Sequence, residues 1–530
     1  MTTDISRRKV LAMMGAVTAA GLLPVGFPAW AQQNSGLPLG DAKSFSFEGL
    51  VSWARHLATQ PYVAPVIAPE LASILSEIDY DAFQDIRFDV EKSLWSNSAG
   101  AAPVAMFHRH QGARESVRLH MIENGEAREV LYDPSAFAYR GDVRSDDIPA
   151  DAGWAGFRVL YADDPARDWL AFMGSSYFRS AGPMNQYGLS ARAVAIDTAR
   201  ADRREEFPRF TEFWLESLSG GGLRIHALLD GPSISGAVRI ECDAPNDQDI
   251  VMNVSVHLFT RQAVTRLGIA PLTSMFWFSE INRDEAADWR PEIHDSDGLA
   301  LWTGSGERIW RPLDNPGHLR TSSFVDDNPR GFGLMQRDRQ FASYEDDGVF
   351  YERRPDLWIE PVGDWGTGMV QLVEIPTDDE IFDNIVAYWT TDQEIPAGKD
   401  VQYAYRMHWM KAGMFGPAAV AGVVASRLGR AGVPGKARPK EGLKYAIDFE
   451  GGDLARYQTA DGVVKPQITV RNAVVDNSYA LRVVGTDRWR LVFDVYPDGV
   501  GPVDMRAFLA AGDKPLTETW IFQHRERDLG

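Results

Sequence analysis

The sequence predicts a mainly β protein made of stacked antiparallel sheets, ending in a small immunoglobulin-like β-sandwich. Three observations predict it. Short runs rich in β-branched and aromatic residues recur at 117–122, 223–229, 237–242, 250–259, 369–375 and 385–391, separated by Gly, Asn, Asp and Pro clusters. Helical spacing of apolar residues is confined to 47–59 and 69–80, and no alternation of strand and helix follows that would build a parallel sheet. Beyond residue 444, further strand-like runs at 445–449, 467–470, 479–484, 489–495, 503–509 and 518–523 follow one another at the spacing of a small sandwich.

Taken in chain order, residues 1–31 read as an export signal. Arg7, Arg8 and Lys9 form its basic start, 10–25 its apolar stretch, and Ala29-Trp30-Ala31 a small-x-small cleavage site. The paired arginines resemble a twin-arginine signal, which exports folded proteins, whereas an ordinary secretory signal does not need the second arginine. The expected location is therefore the periplasm. No later stretch reaches the ~18 apolar residues of a membrane helix, so membrane insertion is not expected. Residues 32–410 are read as one large β-sandwich domain. Residues 411–444, where Gly, Ala, Pro and basic residues accumulate around Gly429-Arg-Ala-Gly-Val-Pro-Gly-Lys436, are read as a linker or long loop, and 445–530 as the immunoglobulin-like domain. Cys242 is the only cysteine, so no intrachain disulfide can form. It ends the alternating run Val238-Arg-Ile-Glu-Cys242 and is expected to be a buried small hydrophobe.

Composition excludes some functions. Lys and Arg supply 54 charges against 74 from Asp and Glu, and a net charge of −20 repels phosphate backbones, so nucleic acid is not an expected partner. Gly-x-Ser-x-Gly, His-Glu-x-x-His, the phosphate-binding Gly-x-x-x-x-Gly-Lys-Ser/Thr and Cys-x-x-Cys are all absent. His108 and His110 would share one face of a strand, but no third ligand is identifiable, so no metal is expected. Gly220-Gly221-Gly222 opens no helix and reads as a turn. The aromatic load, 16 Trp, 16 Tyr and 26 Phe, suits either a large β core or a cleft that stacks on sugar rings.

Several longer motifs are distinctive. Phe88-Asp-Val-Glu-Lys-Ser-Leu-Trp95, Gly174-Ser-Ser-Tyr-Phe-Arg179, Gln186-Tyr-Gly-Leu-Ser-Ala-Arg192, Leu267-Gly-Ile-Ala-Pro-Leu-Thr-Ser-Met275, Ile293-His-Asp-Ser-Asp297, Asn328-Pro-Arg-Gly-Phe-Gly333, Pro502-Val-Asp-Met-Arg506 and Glu518-Thr-Trp520 resemble the periplasmic glucan biosynthesis protein G/D family. The twin-arginine start is similar to the D branch. The resemblance implies a large galactose-mutarotase-like β-sandwich followed by a small immunoglobulin-like domain. It also implies a role in making osmoregulated periplasmic glucans, with an anomer-inverting endo-β-1,2-glucanase activity on the β-1,2-glucan backbone and no cofactor. The alternative is a non-catalytic protein that holds glucan for other enzymes, and a third is a mutarotase or epimerase on the same fold. A homodimer is compatible with the sequence, which does not set the oligomeric state.

Inverting hydrolysis needs one carboxylic acid to protonate the leaving oxygen and one carboxylate to activate water. Carried over by motif, the family's general acid falls on Asp383 in Phe382-Asp-Asn-Ile-Val386 and its base on Asp295. Phe382 stands where that family often carries Leu, a conservative departure. A strand over 381–389 would set Asp383 between Ile381 and Ile385, apolar flanks that disfavour ionisation, and would put Trp389 on the same face, some 20 Å along, at a separate subsite. Asp295 lies between His294 and Asp297, in a polar loop expected to keep it charged. The Asp383-Asn384 pair could instead cap a sheet edge or end a ladder, and His294-Asp-Ser-Asp297 could be a turn whose short side chains bond the backbone. Tyr351, Arg353, Arg354 and Trp358 are expected to contact sugar, through arginine forks on vicinal hydroxyls and aromatic faces on pyranose rings, and His294 and Asp297 are expected to bind substrate beside Asp295.

Overall fold

The computed structural model describes residues 36–524, except 142, 175, 247–248, 284–285, 287, 414, 440, 458–462 and 500. The expected signal at 1–31 lies outside the described residues. Within them strands dominate, as expected, and no helix is long and apolar enough to cross a membrane. The chain forms two compact units and passes between them several times: one comprises the residues up to Thr273 with 359–369 and 388–411, the other 274–358, 370–387 and 412 onward.

In the first unit, consecutive hairpins join Arg209–Ser217, Leu223–Asp230, Ile234–Cys242 and Asp249–Thr260 into a sheet, which Arg118–Glu123 extends in parallel at one side and Asp400–Met410 antiparallel at the other. A second sheet runs through Val104–Phe107, Gly156–Leu160, Asp168–Met173, Tyr177–Ser180, Ser190–Arg192 and Leu267–Ser274. The two sheets meet through phenylalanines. Phe157, Phe172 and Phe178 are register partners across the second sheet and stack on one another at 5.0 and 4.8 Å. Their rings meet Phe213 of the first sheet at 5.1 and 5.6 Å from Phe157 and Phe172.

The first sheet is covered on its other face as well. The expected helix is Phe47–Ala58, capped by Ser46, whose hydroxyl accepts the Gly49 N–H at 3.1 Å. Its apolar stripe, Phe47, Leu50 and Ala54, packs on Leu228, Ala237 and Phe259. Burial on both faces explains why 223–230 is nearly continuous in apolar residues rather than alternating. Cys242 is buried there, as its alternation predicts.

In the second unit, one sheet runs through Gly331–Met335, Gly298–Trp302, Arg308–Pro312, Thr519–His524, Val503–Ala511 and Val464–Arg471. A facing sheet runs through Gly422–Arg430, Leu443–Glu450, Trp489–Pro497 and Ala473–Arg482. Tyr445 and Phe493 of the facing sheet meet Trp520 at 5.5 and 6.2 Å, and Trp520 lies 5.7 Å from Phe522. Two features differ from the expectation. Gly422–Arg430, inside the expected linker, is a strand whose eight-residue register with Leu443–Glu450 absorbs the small and basic residues. The C-terminal strands also share their sheet with strands from before residue 340, joined by the parallel pairing of Ile309 with Thr519 and Trp310 with Trp520. Glu518 secures that junction from a buried position: its carboxylate accepts Arg308 Nη2 at 2.5 Å, Arg337 Nη1 at 2.7 Å and the Val423 N–H at 2.9 Å. Although burial opposes it, the Arg337 and Arg308 guanidiniums hold this carboxyl below its ordinary range.

Phe172 lies at the centre of the first unit's aromatic layer, so Phe172→Ala is expected to cost about 3–5 kcal/mol. Denaturant unfolding checks this; an unchanged midpoint would contradict the packing described.

Candidate active site

The site grows from one short backbone segment of the second unit. Asp295 follows the two-residue strand Ile293–His294, which pairs with Phe276–Phe278 so that His294 lies opposite Phe276. The Asp295 N–H donates to the Met275 carbonyl at 2.8 Å. The next residue, Phe276, is held by Asn384, whose Oδ1 accepts the Phe276 N–H at 2.8 Å while its Nδ2 donates to the Phe276 carbonyl at 2.8 Å and the Ile375 carbonyl at 3.0 Å. Asn384 thus behaves as a piece of sheet ladder made from a side chain. Asp383 and Asp295 are each attached one step from adjacent residues whose Cα atoms are ~3.8 Å apart.

A second set of contacts reaches the same loop. Asp295 is completely buried and forms an ion pair with Arg354. The Arg354 guanidinium lies 3.9 Å over the Tyr351 ring, and the Tyr351 hydroxyl donates to Glu380. Glu380 also accepts Arg290 Nη1 at 2.9 Å, and Arg290 reaches Asp346 at 2.6 Å and Asp288 at 2.9 Å. The 380–384 loop is therefore fastened at Glu380 and at Asn384, with Asp383 between.

Several expected site residues take other roles. Asp383 is exposed and lies in the connection between strands Thr367–Glu374 and Ile385–Thr390, because the regular ladder begins only after the Asn384 side chain has made its bonds. The strand expected over 381–389 is thus shorter, and Ile381 and Ile385 do not enclose the carboxyl. Phe382, 51% exposed, presents an aromatic face beside it. Asp295 is enclosed rather than in an open polar loop. Trp389 is fully buried in the first unit with Trp365 at 6.0 Å, so it offers no face to a sugar. Trp358 is buried and stacked on Phe415 at 4.6 Å, and the buried Tyr351 and Arg354 belong to the scaffold. Arg353 remains exposed, 3.3 Å from Glu352 and 4.3 Å over the Phe350 ring.

His294 and Asp297 face a buried acidic group. One carboxylate oxygen from each of Glu280, Asp297 and Asp338 lies within 4.8 Å of the others, and Glu292 Oε2 is 3.0 Å from His294 Nε2. Burial raises the pKa of all four acids, with repulsion from neighbouring carboxylates adding to it at Glu280, Asp297 and Glu292, the last reaching about 9, while burial lowers His294 to about 4. At neutral pH the group therefore retains protons, and the His294–Glu292 contact is a hydrogen bond rather than an ion pair. The oxygens are also of the type a hard cation takes. Glu280, Glu292, Asp338, Glu380 and Arg290 carry no sequence signal because distant segments bring them together. Asn384 was visible beside Asp383.

The protein is mainly β, with an exposed aspartate and a buried aspartate–arginine pair placed about one backbone segment, an arrangement that does not by itself set a function. The family model described as "Periplasmic glucan biosynthesis protein, MdoG" matches residues 45–524, and the chain belongs to that family. It is 45% identical to glucans biosynthesis protein D 2 of Ralstonia nicotianae, over 98% of each chain. It is 43% identical to glucans biosynthesis protein D of Stenotrophomonas maltophilia, over 99% of each. It is 42% identical to the protein of that name from Xanthomonas campestris, over 98% of each.

The acidic group fixes a pH dependence. Glu292, with its folded pKa raised, contributes stability that is full below pH ~4.5 and lost as pH rises towards about 9. His294, with its folded pKa lowered, contributes stability that is full above pH ~6.5 and lost as pH falls towards about 4. The melting temperature should therefore fall between pH 6.5 and 9, and Glu292→Gln should flatten that fall. A wild-type profile that rises across the interval would contradict the assignment.

Proposed function

We propose that the protein acts in the periplasm in the biosynthesis of osmoregulated glucans, as an inverting endo-β-1,2-glucanase that trims the β-1,2-glucan backbone. The observation that carries this reading is that Asp295 and Asn384, the residue next to Asp383, bond the adjacent residues Met275 and Phe276. In this reading Asp383, open to solvent, meets the glycosidic oxygen directly and gives it a proton as the bond breaks. Bound glucan displaces water around Asp383, with Phe382 offering a flat apolar face to a pyranose ring and Arg353 a fork to its hydroxyls. Asp295 acts as the base. Its enclosure by Arg354 means that the proton of the attacking water reaches it through an intervening hydroxyl or second water. Attack from the opposite face inverts the anomeric centre, and the two carboxyls of inverting enzymes stand ~6.5–9.5 Å apart.

The second reading, a protein that holds glucan without cutting it, is favoured by the complete burial of Asp295. Purified protein and linear β-1,2-glucan separate the two. The glucanase reading expects shorter oligosaccharides with inverted anomers at the new reducing ends, and Asp383→Asn slower by roughly 10²–10⁴-fold yet still binding glucan. Binding with unchanged chain length in the wild-type protein would overturn it in favour of the second.

A further inference from the structure

A cavity of about 460 Å³ lies in the first unit, among strands Ile86–Phe88, Val104–Phe107, Phe137–Tyr139 and Gly156–Leu160. Its size falls within the ~300–1,000 Å³ of small-molecule sites. Two pairings shape it: Phe88 lies opposite Phe137, and Ala105 opposite Arg158. The walls are aromatic, with Phe107 and Phe137 among them. Its charges are those of Arg87, Arg140 and Arg158 against the single carboxylate of Asp89, a net of +2 (three minus one) in a chain of net charge −20.

The lone carboxylate is turned to local use, since Asp89 Oδ1 accepts the Glu91 N–H at 3.1 Å. None of the three arginines is in a direct ion pair among the described residues, although the charge of Arg158 reaches the buried Asp168 and works against the rise that burial causes in its pKa; Arg158 Nε is buried without a hydrogen-bond partner while its guanidinium lies 5.8 Å over Phe107. A buried guanidinium nitrogen left unsatisfied is costly, and the guanidinium as a whole lines the cavity. His108, also in the wall, adds no charge: its Nδ1 lies 2.5 Å from the Arg109 carbonyl and its Nε2 3.4 Å from the Tyr132 hydroxyl. Burial lowers its pKa to about 4.

We propose that this cavity binds an acidic sugar, a pyranose-sized ring carrying an oxyanion, with the ring against Phe107 and Phe137 and the oxyanion on Arg158. Aromatic walls supply flat apolar faces for the ring's C–H surface. Guanidiniums supply forked donors that match a carboxylate or phosphate. The aspartate pair of the proposed glucanase belongs to the other compact unit, so this site stands whether or not that reading holds.

Calorimetry on the intact protein tests the proposal with glucose 6-phosphate, glucuronate, glucose and inorganic phosphate as probes. At least one acidic sugar is expected to bind at least tenfold more tightly than either glucose or phosphate, and the tighter of the two identifies the oxyanion. Arg158→Gln should weaken that binding at least tenfold. Arg140→Gln, on the exposed rim where folding is not at stake, should weaken it a few-fold with an unchanged melting temperature. The proposal fails if neither acidic sugar binds at millimolar concentration, if neither binds at least tenfold more tightly than both glucose and phosphate, or if both variants bind as the wild type does.

Discussion

The site depends on the hold that Asn384 exerts on the backbone of Phe276. A carboxamide can donate and accept at once, so one side chain satisfies both the N–H and the C=O of the same residue, with a third bond to Ile375. In a buried setting each of those groups would carry a desolvation cost of about 1–3 kcal/mol if left unpaired. The loop bearing Asp383 is consequently not a free connection between strands. Its far end is tied to the residue that follows the carbonyl holding Asp295; a carboxylate in place of the amide would keep the accepted bond and lose the two donated ones, and a methyl group would lose all three, with both aspartates still present.

Around that hold, the second unit places charge in its interior in two ways. Where guanidinium and carboxylate meet in pairs, as at Asp295–Arg354 and at Glu518 with Arg308 and Arg337, charges stay and are matched. Where acids cluster, as with Glu280, Glu292, Asp297 and Asp338, two arginines whose charge reaches the cluster are paired elsewhere: Arg337 with Glu518, and Arg427 with Asp448 at 2.9 Å. Protonation then replaces pairing. Two electrostatic regimes a few residues apart in sequence, Asp295 and Asp297, come from whether a guanidinium is within reach.

Much of the fold was legible because it depends on local patterns: the strands at 223–230, 234–242 and 249–260, the helix at 47–58 and the C-terminal strands all show in period and punctuation. The strand at 422–430 did not, since Gly, Ala and Arg are poor strand formers and its pairing with 443–450 supplies the order. In the site, the motifs around Asp295 and Asp383 were visible, but their surroundings were not. A two-residue periodicity carried back from 385 suggested burial for Asp383, whereas a side-chain ladder at Asn384 ends the strand first. Trp358 and Trp389 read as sugar platforms because sequence gives aromatic identity without exposure, and both are core. The Arg290–Glu380–Tyr351–Arg354 chain joins residues far apart, with no spacing rule to reveal it.

The most direct test is a crystal structure with a β-1,2-glucan oligosaccharide and an inactivating Asp383→Asn substitution. The account predicts a glycosidic oxygen within hydrogen-bonding distance of residue 383 and a chain of hydroxyls or waters leading from the opposite face of that sugar to Asp295. Glucan seated away from residue 383, or no hydrogen-bonded route from the sugar to Asp295, would contradict it.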